Sequence, residues 1–349
     1  MLMKTTRLLY VIAACIAFLP GVSFAQADIH FSQFYETSIL RNPALIGVSA
    51  DNYKVSAYYR SQWSSITNPY QTLLIDAEYR FSLGRMSQDF LSIGVLGYSD
   101  EAGDLDQKIS GVYPALCLNK LIDANYNAYL SLGFTCGFLN YSFDPSKATF
   151  NNQFQGGVYS PFNASFENIP NPKMSLVDIG SGLNFNFSPN DQNSGAYVLG
   201  VSGYHFSQPS FSYDKTPGYV QNIRWNVNAD MVHDLGRSFA FQIHANFAQQ
   251  GAYNESVFGG LIGWRVADDP FSRPDFEFDA GALYRMNDAI IPVVKLRYKS
   301  LAVGVSYDVN SSPLKEASNT QGGLEVTLTV SGQFPPNGDY KKKVCPRFF

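Results

Sequence analysis

Ser238–Gly251 reads SFAFQIHANFAQQG. Phe239, Phe241, Ile243, Ala245 and Phe247 alternate with Ala240, Gln242, His244, Asn246 and Ala248. A period of two puts the first set on one face of an extended strand and the second on the other. The same pattern recurs outward in both directions. In YKVSAYYR, Tyr53, Val55, Ala57 and Tyr59 oppose Lys54, Ser56, Tyr58 and Arg60; in IRWNVNADM, Ile223, Trp225, Val227, Ala229 and Met231 oppose Arg224, Asn226, Asn228 and Asp230. LLIDAEYRF, FEFDAGALYR, LAVGVSYDV and LEVTLTVS repeat it, and less regular stretches bring the expected number of strands to fourteen, with no helical period between them.

Two features separate this pattern from a soluble β-sandwich. Tyr, Trp and Phe rim the apolar face at strand ends, as interfacial girdles require. The polar face carries full charges in mid-strand: Lys54, Arg60, Arg80, Arg224, Arg285, Lys295 and Arg297 against Asp76, Glu78, Asp230, Glu277, Asp279, Asp308 and Glu325. A dry core tolerates such charges poorly, whereas a wet or hydrogen-bonded lumen accepts them. The expected fold is all-β, a transmembrane antiparallel β-barrel of about fourteen strands, because only a closed sheet leaves no free backbone edge in a bilayer. Loop lengths agree: the longest connections, about 141–173, 207–222 and 311–322, follow the fifth, seventh and thirteenth strands, the extracellular side if both termini are periplasmic. The matched numbers of positive and negative charges allow two readings, a lumen crossed by ion pairs or one that averages to neutrality.

Composition narrows the function. Charged residues make up only 15% of the chain and aromatics another 15%, against roughly 25% charged in soluble domains. The N-terminus, MLMKTTRLLYVIAACIAFLPGVSFAQ, has basic Lys4 and Arg7, an apolar run from Leu8 to Leu19, the breaker Pro20, and small residues at Ser23 and Ala25. It reads as a signal peptide cleaved after Ala25. IAAC before Cys15 resembles a lipoprotein box, but the apolar stretch before it would be short. Removal of residues 1–25 leaves 23 basic against 29 acidic residues, which gives no reason to expect a nucleic-acid partner. Cys117, Cys136 and Cys345 lack metal-site spacing. His30, His205, His233 and His244 show no H-E-x-x-H, and GVSGY at Gly200 is not a complete G-x-S-x-G. No catalytic, cofactor or metal site is expected, and the chain is read as a non-enzyme.

The two ends carry further motifs. Phe31, Ser32, Gln33 and Phe34, then Asn42, Pro43, Ala44 and Gly47, follow the signal peptide; Tyr307, Asp308, Val309 and Asn310 precede the last strand; Cys345, Pro346, Arg347 and Phe348 end the chain. In this order they resemble the PorP/SprF family of the type IX secretion system of Bacteroidota, with Phe34 where the family usually has Tyr. The resemblance implies an outer-membrane barrel whose partners are type IX machinery components and a secreted surface protein, such as a gliding adhesin. Four segments are expected: signal peptide 1–25, an N-terminal periplasmic or plug segment 26–50, the barrel 51–334, and a periplasmic tail 335–349.

Three candidate sites follow. Pro43 holds Asn42 extended and Gly47 permits a tight turn, so Phe31, Ser32, Gln33, Asn42, Pro43, Ala44 and Gly47 are expected either to fold back as a lumenal plug or to form a flexible leader. In the tail, Pro335 and Pro336 end strand pairing, and Lys341, Lys342, Lys343, Cys345 and Arg347 form a candidate periplasmic docking patch or a solvated end. Tyr141, Phe143, Phe150, Phe154, Tyr159, Phe162 and Phe166 make the fifth connection aromatic, either as a partner patch or as a loop that buries its own rings. The alternative function is a channel for hydrophobic small molecules resembling the FadL family, for which Pro292 could interrupt the wall.

Overall fold

The computed structural model describes residues 28–49, 51–66, 68–84, 88–167, 169, 172–189, 195–211, 219–236, 238–266, 275–313 and 315–333. Fourteen antiparallel strands close into one barrel. They are β1 (Tyr53–Gln62), β2 (Tyr70–Ser82), β3 (Phe90–Ala102), β4 (Gln107–Asp123), β5 (Ala128–Ser142), β6 (Lys173–Phe187) and β7 (Gly195–Tyr204), followed by β8 (Arg224–Leu235), β9 (Phe239–Gln250), β10 (Tyr253–Val266), β11 (Phe276–Arg285), β12 (Ala289–Tyr298), β13 (Leu301–Asn310) and β14 (Gln321–Gly332). Each strand pairs with its sequence neighbours, and β1 also pairs with β14, from Tyr53↔Gly332 to Gln62↔Gly323. That pairing is the seam at which the sheet closes and its last backbone edge disappears.

Alternation decides which side faces out. In β9, Phe239 and Ile243 are exposed while Ala240 and His244 are buried. In β1, Val55 and Tyr59 point outward and Ser56, Tyr58 and Arg60 are buried. The outer face carries Leu, Ile, Val and Phe, with Tyr59, Tyr70, Trp225, Trp264 and Tyr298 exposed at strand ends. An exposed apolar band flanked by aromatics is stable only against lipid. Pro292 pairs with Ala282 of β11, but the β12–β13 ladder skips Ile291 and Pro292, as a residue without an N–H requires. The ladder between β4 and β5 lapses likewise at Tyr113–Pro114.

The barrel has an entry end, where β1 begins and β14 finishes, and a far end, where odd-numbered strands finish. The long connections 143–172 and 205–223 both lie at the far end. The interior is not empty. Residues 28–49 run within it as three short turns, Phe34–Glu36, Ser38–Arg41 and Pro43–Leu45. Side chains of β1, β3, β8, β11, β13 and β14 and the backbone of β5 and β6 meet this segment. Contact with walls on all sides fixes its place as the lumen.

The two ends of the mature chain, expected on one side, lie outside the described residues. Asp28, the first described residue, stands beside Tyr204, Arg224 and Gln250 at the far end, whereas Gly332 pairs with Tyr53 at the entry end. The chain passes down the lumen between them until Asn52 N–H bonds to Gly332 O.

Candidate functional site

Four groups of residues attach the lumenal segment, around Ser32, around Asn42, at Gly47 and, at the far end, around Asp28. The upper group centres on Ser32. Its backbone N–H and that of Gln33 donate to the Glu325 carboxylate (2.7–3.0 Å). Its hydroxyl donates to Asp308 Oδ1 (2.6 Å) and accepts from the guanidinium groups of Arg60 (2.6 Å) and Arg285 (2.7 Å). Both arginines also bond Asp308 Oδ2 at 2.8 Å. Gln33 donates to Ser306 (3.2 Å) and accepts from Thr327 (3.2 Å). These partners lie on β1, β11, β13 and β14, so Ser32 and Gln33 clasp the closure seam. The first and third motif boxes of the sequence, nearly three hundred residues apart, are ligands of one another here: Ser32 meets Asp308.

The middle group uses Asn42 and Arg41. Pro43 forces its predecessor out of helical geometry, and Asn42 has φ −162°. Its Oδ1 accepts from Ala44 N–H (2.9 Å), capping the Pro43–Leu45 turn. Its Nδ2 donates to Leu183 O (3.2 Å) and Asn228 Oδ1 (3.0 Å). The wall is dented to admit this turn: a Cβ on Gly133 would lie 2.3 Å from the Ala44 nitrogen, and one on Gly182 2.0 Å from Asn42 Oδ1. Arg41 makes a two-pronged pair with Asp230 (3.0 and 2.7 Å), which also receives His244 Nδ1 (2.9 Å). Tyr35 stacks on the His244 ring at 4.2 Å.

The lower attachment is at Gly47, whose φ of +73° is open to glycine without strain; its N–H donates to Glu78 Oε2 (3.1 Å). Nearby Arg80 donates to Ser49 O (3.1 Å). Glu36 pairs with Lys295, and its carbonyl accepts from Lys54 (2.7 Å) and Tyr58 (2.8 Å). Burial disfavours the Glu36 carboxylate, but Lys295 and Lys54 hold its pKa down at about 2.

At the far end Asp28 binds His205 Nε2 (2.5 Å), Gln221 (3.2 Å) and Gln250 (3.4 Å), and His205 Nδ1 faces Asp178 (3.0 Å). Burial works against the His205 imidazolium, yet Asp28 and Asp178 raise its pKa to about 9. Burial likewise opposes ionised Asp28, and His205 with Arg224 hold it below the usual carboxylate range. His30 goes the other way: burial lowers it to about 4, the Glu255 carboxylate opposing and Arg60 adding to the fall.

The expected residues separate clearly. Phe31, Ser32, Gln33, Asn42, Pro43, Ala44 and Gly47 all lie buried in the lumen. Of the aromatic set, Tyr141 belongs to β5, is buried, and packs edge-on against Phe211; Phe143 and Phe150 are half-buried. Phe154 and Tyr159 sit on a two-residue hairpin and, with Phe162 (95% exposed) and Phe166 (83% exposed), face solvent. Lys341, Lys342, Lys343, Cys345 and Arg347, like residues 1–25, lie outside the described residues. Asp28, Glu36 and Arg41 were not singled out in the sequence, although each is a charge in a short apolar box that needs a counter-charge when buried. Among the described residues no group of three or more His, Cys, Asp or Glu could hold a metal ion.

The profile of the family described as "Type IX secretion system membrane protein PorP/SprF" matches residues 23–330. Comparison with curated proteins gives no match. Among solved structures, a FadL homologue from Pseudomonas aeruginosa overlaps with a TM-score of 0.46 at 10% identity, covering 83% of this chain and 92% of that one. The toluene transporter TodX of P. putida overlaps at 0.42 and 8% identity, covering 84% and 93%. BamA from Haemophilus ducreyi overlaps at 0.41 and 8%, covering 80% and 70%. At that distance they say nothing of what this chain does. The match spans the lumenal segment and nearly the whole closed barrel, and the chain belongs to the PorP/SprF family of type IX secretion system membrane proteins, as a β-barrel of the outer membrane.

Proposed function

We propose that this barrel is a docking and anchoring component of the type IX system: its outer connections hold a secreted surface protein while its periplasmic side meets the secretion machinery. The observation that carries this reading is the occupied lumen. A conduit needs an open or readily opened path, whereas here Ser32, Gln33, Arg41 and Asn42 attach the lumenal segment to the walls through buried hydrogen bonds. The segment acts as a plug, and the exposed Phe154, Tyr159, Phe162 and Phe166 are the grip for the exterior partner. The periplasmic tail, with Lys341, Lys342, Lys343, Cys345 and Arg347, is the candidate contact to the machinery. Affinity capture from native outer membranes in mild detergent tests the reading. Enrichment of type IX ring subunits or of a large surface protein, lost in Phe162→Ser/Phe166→Ser, supports it; recovery of the barrel alone with bound lipid-like molecules favours the FadL-like channel. One observation favours that second reading: the ladder lapse at Pro292.

A further inference from the structure

The lumenal segment has a direction, and its direction fixes where the chain enters the lumen. Gly47 lies against Glu78 and Ser92 near the entry end, Asn42 against Gly182 and Asn228 at mid-height, and Ser32 against Arg60 and Asp308 toward the far end. Asp28 completes the series. His205 and Gln221, both in the connection after β7, hold it, together with Gln250 where β9 finishes and Arg224 where β8 begins, 3.7 Å away. Every one of these partners stands at the far end. The sheet is closed around the segment, so Asp28 stands inside the far mouth of the barrel.

We infer that the chain enters the lumen from the cell exterior: Asp28 is held at the outer mouth beside the long connections, not at the periplasmic end. A ten-residue strand such as β1 is about 33 Å long, so Asp28 stands a full strand length from the entry end. An exterior partner that meets the 143–172 connection therefore meets the start of the lumenal segment on the same surface. The assignment of the far end to the exterior rests on the orientation adopted under the proposed function.

Cysteine accessibility tests this in whole cells, with Cys345→Ser as the background and a membrane-impermeant maleimide as the probe. Phe162→Cys reports the far end, Gly84→Cys in the β2–β3 connection reports the entry end, and Ala27→Cys reports the chain just before Asp28. The expected result is labelling of Ala27→Cys in intact cells to the extent seen at Phe162→Cys, with Gly84→Cys labelled only after permeabilisation. Labelling of Ala27→Cys only after permeabilisation, while Phe162→Cys labels in intact cells, overturns the inference and leaves the orientation standing. If Gly84→Cys labels in intact cells and Phe162→Cys does not, the orientation itself fails and the inference with it. Heat-modifiable migration shows that each variant is assembled, and an epitope inserted after Gln26, read by antibody on intact cells, serves if Ala27→Cys is not.

Discussion

The lumenal segment 28–49 and the far-end connection 143–172 are both irregular chain, and both stood out in the sequence as candidate sites. Their fates are opposite. Ser32, Gln33 and Asn42 are fully buried, and their hydrogen bonds reach partners more than 140 residues away. The connection's bonds are mostly local: Asp144 accepts from Ser146, Phe150 donates to Gln153, and Asn163 donates to the Gln153 carbonyl, while Lys147 pairs with Asp106 and Asp144 N–H donates to Leu105 O at the neighbouring β3–β4 turn. Irregular chain acquires one fixed conformation when a wall supplies partners for its polar groups, because a buried unpaired group is costly. Without a wall it keeps mostly local turns and leaves its rings available to another molecule.

Deletion should separate the two regions most sharply. Removing residues 29–48 is expected to convert a non-conducting barrel into a conducting one in planar bilayers, while removing 145–166 leaves conductance unchanged. An unchanged conductance in the first deletion would sink the plug. Next comes Arg41→Ala, which strands Asp230 in the lumen; losing one partner of a buried pair typically costs about 3–5 kcal/mol. Phe162→Ala should lie within about 0.5 kcal/mol of the parent, and equal losses in urea unfolding from lipid vesicles would erase the contrast.

Gly182→Ala sets a methyl 2.0 Å from Asn42 Oδ1 and must displace it. Faster proteolysis of the segment in detergent is expected, with the barrel intact. Ser32→Ala leaves two arginines and a carboxylate without their shared hydroxyl, a loss of about 1–3 kcal/mol. A further effect is with pH. His205 has its folded pKa raised to about 9 from 6.5, so its stabilisation is complete below about 6.5 and disappears as pH rises through about 9. Protection factors of the amides of residues 28–31, taken relative to the intrinsic exchange rate at each pH, should fall over that window, and His205→Gln should abolish the fall; an unchanged pH response in that variant would exclude His205 as its source.

Much of this was legible beforehand for identifiable reasons. SFAFQIHANFAQQG announces a two-faced strand because the pleat has a period of two whatever surrounds it, and Phe239 and His244 fall on the sides that alternation requires. Pro43 and Gly47 declare their backbone geometry through their own covalent structure. The charges were legible as inward-facing but not as pairs. Arg297 meets Glu277 across the wall at 3.3 Å, whereas Asp230 and Lys295 turn to Arg41 and Glu36 of the segment. Tyr141 looked like a loop aromatic because Asn140 and Ser142, both common turn residues, flank it, yet β5 runs on to Ser142.

The sequence by itself determined the strands, their faces, their closure into a membrane barrel and the positions of the motif boxes, since each depends on local stereochemistry or on the demand that a bilayer leave no backbone group unpaired. Only the tertiary structure decided that Ser32 meets Asp308, that Asn42 seats beside Gly182, and that Asp28 and Gly332 lie at opposite ends. Those facts depend on closing the sheet around the segment, which brings together residues up to about three hundred positions apart, and no local preference carries information across that distance.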